Sequence, residues 1–123
     1  MDETFDDREQ LLRAVFPANR RPDFWRRDGR LSSAALKDKN GLSVDRTYDR
    51  TMDEAVNAMI KRLQGFIVSI TVQDCNAVEA CIKYKPSHAN PYHSEIHGSS
   101  SEVMLSDVQA LRLASSATIQ YKP

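Results

Sequence analysis

All three histidines of the chain fall in one short stretch, His88-Ala89-Asn90-Pro91-Tyr92-His93-Ser94-Glu95-Ile96-His97-Gly98. If residues 93 to 97 are extended, His93, Glu95 and His97 point to one side and Ser94 and Ile96 to the other. Two imidazoles and a carboxylate on one face are the ingredients of an acid/base pair or a metal triad. Same-side neighbours on a strand are about 7 Å apart, from a rise of about 3.3 Å per residue. That spacing suits a catalytic pair bridging a substrate better than a closed metal shell, whose ligands usually come from more than one element. His93 is therefore the candidate acid/base and Glu95 its orienting or second acid/base partner. Neither a metal nor a cofactor is expected. The plain alternative is an exposed polar strand edge.

A second chemistry is written in cations. Arg26, Arg27 and Arg30 precede Leu31-Ser32-Ser33-Ala34-Ala35-Leu36-Lys37, which reads as a turn followed by a serine-capped short helix. Free N–H groups at a helix start, beside bidentate guanidinium groups, suit a phosphate or carboxylate. Arg26, Arg30, Ser32 and Ser33 are the candidate anion ligands. Phe24 and Trp25 lie among the arginines and can stack a base, although a tryptophan anchoring a long loop on the core is the simpler account. Leu42-Ser43-Val44-Asp45-Arg46 alternates as a short strand, with Leu42 and Val44 inward and Ser43, Asp45 and Arg46 available to a ligand. Asp45 paired with Arg46 or Arg30 is the structural alternative. Asn90 completes the set of candidate ligands. No nucleophile elbow surrounds the serines, and there is no phosphate-binding glycine loop and no DNA-reading motif.

Taken together, Gly29-Arg30-Leu31-Ser32-Ser33-x-Ala35, Leu42-Ser43-Val44-Asp45-Arg46 and Asn90-Pro91-x-His93-x-Glu95-Ile96-x-Gly98 resemble a pattern in an uncharacterised family of small bacterial proteins. The resemblance spans roughly residues 10 to 115. It carries no activity; it implies only that the three stretches belong to one site.

These residues need a scaffold. Met52, Ala55, Val56, Met59, Ile60 and Leu63 form a helical stripe that opens on a Thr51-x-x-Glu54 capping box and closes at Gly65. Phe66, Val68, Ile70 and Val72 then alternate with polar or outward residues, as do Val78, Ala80, Ile82 and Tyr84 after a turn at Asp74–Ala77. The parity predicts a β-hairpin over about residues 66–85, with Val68 opposite Ile82, Cys75 in the turn and Cys81 on the outer face. Phe5, Leu11, Leu12, Val15 and Phe16 fit a first helix ended by Pro17, and Ser106-x-x-Gln109 starts a last one before a short strand around Ile119. The fold class is α+β, a small antiparallel sheet built on that hairpin and packed by two or three helices. The aperiodic stretches 18–50 and 86–101 are where a site is expected, since binding residues concentrate in loops.

At 123 residues the chain has the size of one domain and core enough to fold without disulfides or metal. Seventeen basic residues balance seventeen acidic ones, which argues against a general polyanion binder. The balance is uneven: Asp2, Glu3, Asp6, Asp7 and Glu9 precede a run of six arginines from Arg13 to Arg30. An acidic start without an apolar core, no apolar run near the roughly 20 residues of a membrane span, and two unpaired cysteines predict a cytoplasmic protein with no membrane partner. The function expected is an accessory or protein-interaction domain binding an anionic small molecule, nucleic acid or partner subunit through its Arg-rich and His-containing loops. The alternative is a small hydrolase, nuclease or group-transfer enzyme using His93 and Glu95. A third is a subunit of a larger assembly whose neighbours order the long aperiodic segment.

Overall fold

The strand that organises the molecule is β1 (Gln10–Val15), in the middle of a six-stranded antiparallel sheet. The computed structural model describes residues 1–123. The other strands are β2 (Leu42–Arg46), β3 (Phe66–Thr71), β4 (Cys81–Tyr84), β5 (His93–His97) and β6 (Thr118–Tyr121), in the spatial order β4-β5-β2-β1-β3-β6. Three helices, α1 (Met52–Ile60), α2 (Val72–Ala77) and α3 (Asp107–Ser116), complete the α+β fold. No helix is long and apolar enough to cross a membrane.

Two layers cover the sheet. On the inner face Leu11, Val15, Val44, Val68, Ile70 and Ile96 pack with Cys75 of α2 and with Ala110, Leu113 and Ala114 of α3. On the outer face Leu12 and Ile67 pack with Ala55, Val56 and Met59 of α1. Being buried on both sides explains why β1 mimics a helix in the sequence. Leu11, Leu12 and Val15 serve two cores at once, so the alternation that marks a half-exposed strand is missing. The first helix expected there is a strand.

The expected hairpin over residues 66–85 is also replaced. Thr71 Oγ1 accepts the Asp74 N–H at 3.0 Å and starts α2, where a turn was expected. This helix carries the chain beneath the sheet, so β3 pairs with β1 and β6 while β4 forms the far edge beside β5. Val68 lies between Arg13 and Ile119, and Ile82 faces Ile96. Cys75 is fully buried, and burial, with a smaller contribution from Asp74, pushes its thiol up to about 12. Cys81 is likewise a free thiol, half-buried on the edge strand.

Both long helices start where their local signals placed them. Thr51 and Glu54 exchange hydrogen bonds at 3.1 and 3.0 Å, and Ser106 and Gln109 at 3.1 and 2.9 Å. α1 stops at Ile60, earlier than its apolar stripe, which leaves Leu63 exposed. Gly65 has φ +116°, and a Cβ there would come 2.4 Å from the Val15 carbonyl oxygen; only glycine lets the chain enter β3 so close to β1. In α3 the buried face is Ala110, Leu113 and Ala114, while Val108 and Leu111 face outward.

The long stretch after β1 is pinned by its aromatic residues. The Trp25 indole donates to the Phe16 carbonyl at 2.8 Å and packs on the Phe66 ring at 4.7 Å. Leu31, Ala35 and Leu36 then join the inner core, the last two from a 3₁₀ turn over Ser33–Leu36.

Candidate functional site

β2 and β5 bring five of the ten sequence candidates together. Ser43 is the register partner of Glu95 and Asp45 of His93, so these four share the outer face. Asn90 joins them by donating from Nδ2 to Asp45 Oδ1 at 2.9 Å. Asp45 also accepts a hydrogen bond from Arg62, just beyond α1. This answers the pairing question: the partners of Asp45 are Arg62 and Asn90, not Arg46 or Arg30.

The other five candidates are elsewhere. Arg26 and Arg30 close an exposed turn in which Arg26 N–H donates to the Arg30 carbonyl at 2.7 Å, and both guanidinium groups surround Asp28 at 3.9 and 3.0 Å. Ser32 is used structurally: its hydroxyl donates to the Asp23 carbonyl at 2.5 Å and accepts from Ala34 N–H at 3.3 Å. Ser33 only begins the 3₁₀ turn, which is too short to act as an anion-binding helix. Arg46 is fully buried. Glu9 holds it at two oxygens, each 2.8 Å away, and the carbonyls of Asp2 and Thr4 take further N–H groups at 2.5 and 2.8 Å. The rings of Phe5, Tyr48 and Tyr84 lie 4.0, 4.8 and 5.2 Å from its guanidinium carbon. Desolvation opposes the charge, yet the hydrogen bonds and charge of Glu9 hold its pKa above the ordinary value. Arg46 fastens the N-terminal arm to the sheet, fully buried and with each of its nitrogens engaged within the protein.

The expected His93–Glu95 partnership does not form. Glu95 Oε1 accepts from His97 Nε2 at 2.8 Å and from Lys85 Nζ at 3.3 Å. Burial raises the Glu95 pKa, but these hydrogen bonds and charges outweigh it and lower the net value. A Cβ on Gly41 would meet Glu95 Oε1 at 2.6 Å and His97 Nε2 at 3.0 Å, so the loop before β2 rests directly on the pair. His93 is oriented separately, with Nδ1 2.9 Å from the Lys85 carbonyl oxygen. A carbonyl only accepts, so Nδ1 carries the proton and Nε2 is the free acceptor of the neutral ring.

Beside this group the sheet opens. β1 and β2 share only two register pairs, Leu11–Arg46 and Leu12–Asp45, and then diverge. The gap is a cleft of about 600 Å³ between the two strands, the loop over residues 37–40 and the end of α1. Ser43, Asp45 and His93 line it. So do five cationic side chains, Arg13, Arg21, Lys37, Lys39 and Arg62, against two carboxylates, Asp38 and Asp45. Three of the cations are committed: Arg21 to Asp23, Lys37 to Asp107 and Arg62 to Asp45. Arg13 and Lys39 make no ion pair. Arg13 leans across the gap, donating from Nη1 to the Ser43 carbonyl at 3.1 Å where a backbone ladder bond would otherwise run. Its Nε is buried without any hydrogen-bond partner. Desolvation lowers its pKa, and the charge of Asp38 offsets this only in part.

Arg13 and Arg62 are the functional candidates that sequence reasoning missed. A charged residue inside an apolar strand was the available signal for Arg13. Arg62 carried none, since a cation after a helix is adequately explained by the helix dipole.

The chain matches no family model, no curated protein and no solved structure.

Proposed function

We propose that this protein is an accessory or interaction domain that binds an anionic ligand, and that the ligand enters the cleft between the splayed ends of β1 and β2. The reading rests on one observation: Arg13 spans the gap with its Nε buried and unpartnered. A buried donor without a partner costs about 1–3 kcal/mol, and a charged one more, so a turn of the side chain that brings Nε onto an arriving oxyanion recovers that energy. A guanidinium presents its donors as a planar fork matched to carboxylate or phosphate oxygens. Lys39 adds an uncommitted charge at the same cleft, and Arg62 can exchange Asp45 for a ligand oxygen. The cation site therefore moves from the Arg26–Arg30 turn, where Asp28 already neutralises the charge, to the sheet. Calorimetric titration with inorganic phosphate at low salt tests the reading. Saturable binding that disappears in Arg13→Met is expected; absence of binding to the wild-type protein by phosphate and carboxylate compounds alike overturns it.

A second reading has its own observation. His93 lines the same cleft with Nδ1–H held by a carbonyl and Nε2 free, the arrangement a general base requires. A hydrolase or group-transfer enzyme acting on a bound anion would use that nitrogen. Turnover of 4-nitrophenyl phosphate that is lost in His93→Gln supports it, and equal turnover by the variant rejects it.

A further inference from the structure

Resting on the anion-binding reading, we infer that the ligand is a small organic anion carrying a flat apolar body, neither a bare inorganic ion nor a polymer. The cleft, at about 600 Å³, is far larger than one oxyanion and falls within the range of roughly 300–1,000 Å³ typical of sites for drug-sized molecules. Its lining is divided in chemistry. Arg13, Lys39 and Arg62 supply the charge, while Phe16, Phe24 and Leu63 supply apolar surface. Phe16 and Leu63 are 40% and 43% exposed, an unfavourable placement that a bound apolar body would relieve.

The aromatic side of the cleft is stiffened by its own cations. The Arg21 guanidinium carbon lies 3.9 Å from the centroid of the Phe24 ring, and Asp23 holds that guanidinium with hydrogen bonds at 3.1 and 2.9 Å. The Arg20 guanidinium carbon sits 4.4 Å from the centroid of Phe16, whose carbonyl is tied to Trp25. Two aromatic rings held in place beside one cleft favour an aromatic guest, which can pack on them.

A polyanion fits poorly for the opposite reason. Its phosphates need a continuous track of free cations, whereas Arg21, Arg26 and Arg30 are each matched to a carboxylate within two residues. The formal charge of the whole chain is zero. The cleft itself holds two cations without an ion pair, Arg13 and Lys39, too few for such a track.

The test compares matched pairs by isothermal titration calorimetry: phenyl phosphate against inorganic phosphate, and benzoate against acetate. The aromatic member of at least one pair is expected to bind about tenfold tighter than its head group alone, and the pair that shows the preference identifies the head. Leu63→Ser should shrink that preference toward one, while Val108→Ser, on the far side of α3's exposed face, should keep it. Leu63 is exposed, so its loss does not threaten the fold. Equal affinity within both pairs overturns the inference and leaves the anion-binding reading standing. Failure of all four compounds to bind overturns both.

Discussion

The seam between β1 and β2 has a closed end and an open end, and each has an arginine. At the closed end Arg46 sits opposite Leu11 in register, its donors shared among Glu9, Asp2 and Thr4 and its plane enclosed by three rings. The backbone ladder continues past it, with Thr47 N–H donating to the Gln10 carbonyl at 3.1 Å. At the open end, two residues further along β1, the ladder stops and Arg13 bridges the gap with one hydrogen bond and one orphaned nitrogen. The same side chain on the same strand pair thus has two fates. Where every nitrogen is engaged, arginine is mortar. Where a donor is left over, the proposed ligand has its opening.

The strongest way to break this contrast is at Arg46. Arg46→Met leaves the Glu9 carboxylate buried without its counter-charge and releases the N-terminal arm. A loss of about 3–5 kcal/mol is expected from removing one partner of a buried pair, measured by urea denaturation. A change below about 1 kcal/mol would mean that the closed end is not closed.

Glu95 supplies a matched carboxylate on β5 for comparison, where Gly41 packs on the Glu95–His97 pair. Glu95→Gln should cost about 1–3 kcal/mol, the penalty for disrupting a largely buried hydrogen-bonded charge. The pH dependence follows from the sign of the shift. The folded-state pKa of Glu95 lies below its ordinary value, so its stabilisation is fully present above the ordinary glutamate range near 4.3 and is lost as pH falls through the lowered value. The stability of Glu95→Gln should fall less steeply than that of the wild type on acidification from about pH 5, as denaturation curves at several pH values would show.

Arg13→Met should be the mirror image of Arg46→Met. Its removal deletes an unsatisfied donor as well as one hydrogen bond, so stability should stay within about 1 kcal/mol while anion binding disappears. A severe loss of stability would make Arg13 a second structural arginine. The smallest effect is expected at Ser94, fully buried opposite Val44 with its hydroxyl unpartnered. Ser94→Ala should be neutral or stabilise by up to about 1 kcal/mol; a clear destabilisation would reveal a hydrogen bond to water at that hydroxyl.

How far the sequence was legible depended on whether the deciding physics was local. The starts of α1 and α3 were readable because a capping box is spelled within four residues. Ser43, Asp45, His93 and Glu95 were readable as neighbours in kind because alternation on a strand fixes the side each points to, although their pairing across β2 and β5 is a long-range fact. β1 was unreadable as a strand because its two buried faces erase alternation, and the hairpin misled because the Thr71 cap of α2 looks like one more strand residue. Glu95 pairs with His97 while His93 turns to the Lys85 carbonyl, a division that alternation along one strand does not distinguish. For Arg13 the sequence offered only a charge among apolar residues; the role proposed for it depends on β1 parting from β2, which no local pattern shows.

The most direct test is a map of backbone amide shifts during titration of ¹⁵N-labelled protein with inorganic phosphate. Saturable shifts clustered at Arg13, Lys39, Ser43 and Arg62 are expected, with Arg26, Arg30 and Arg46 unmoved. Shifts centred on the Arg26–Arg30 turn, or no saturable shifts anywhere, would contradict the proposed site.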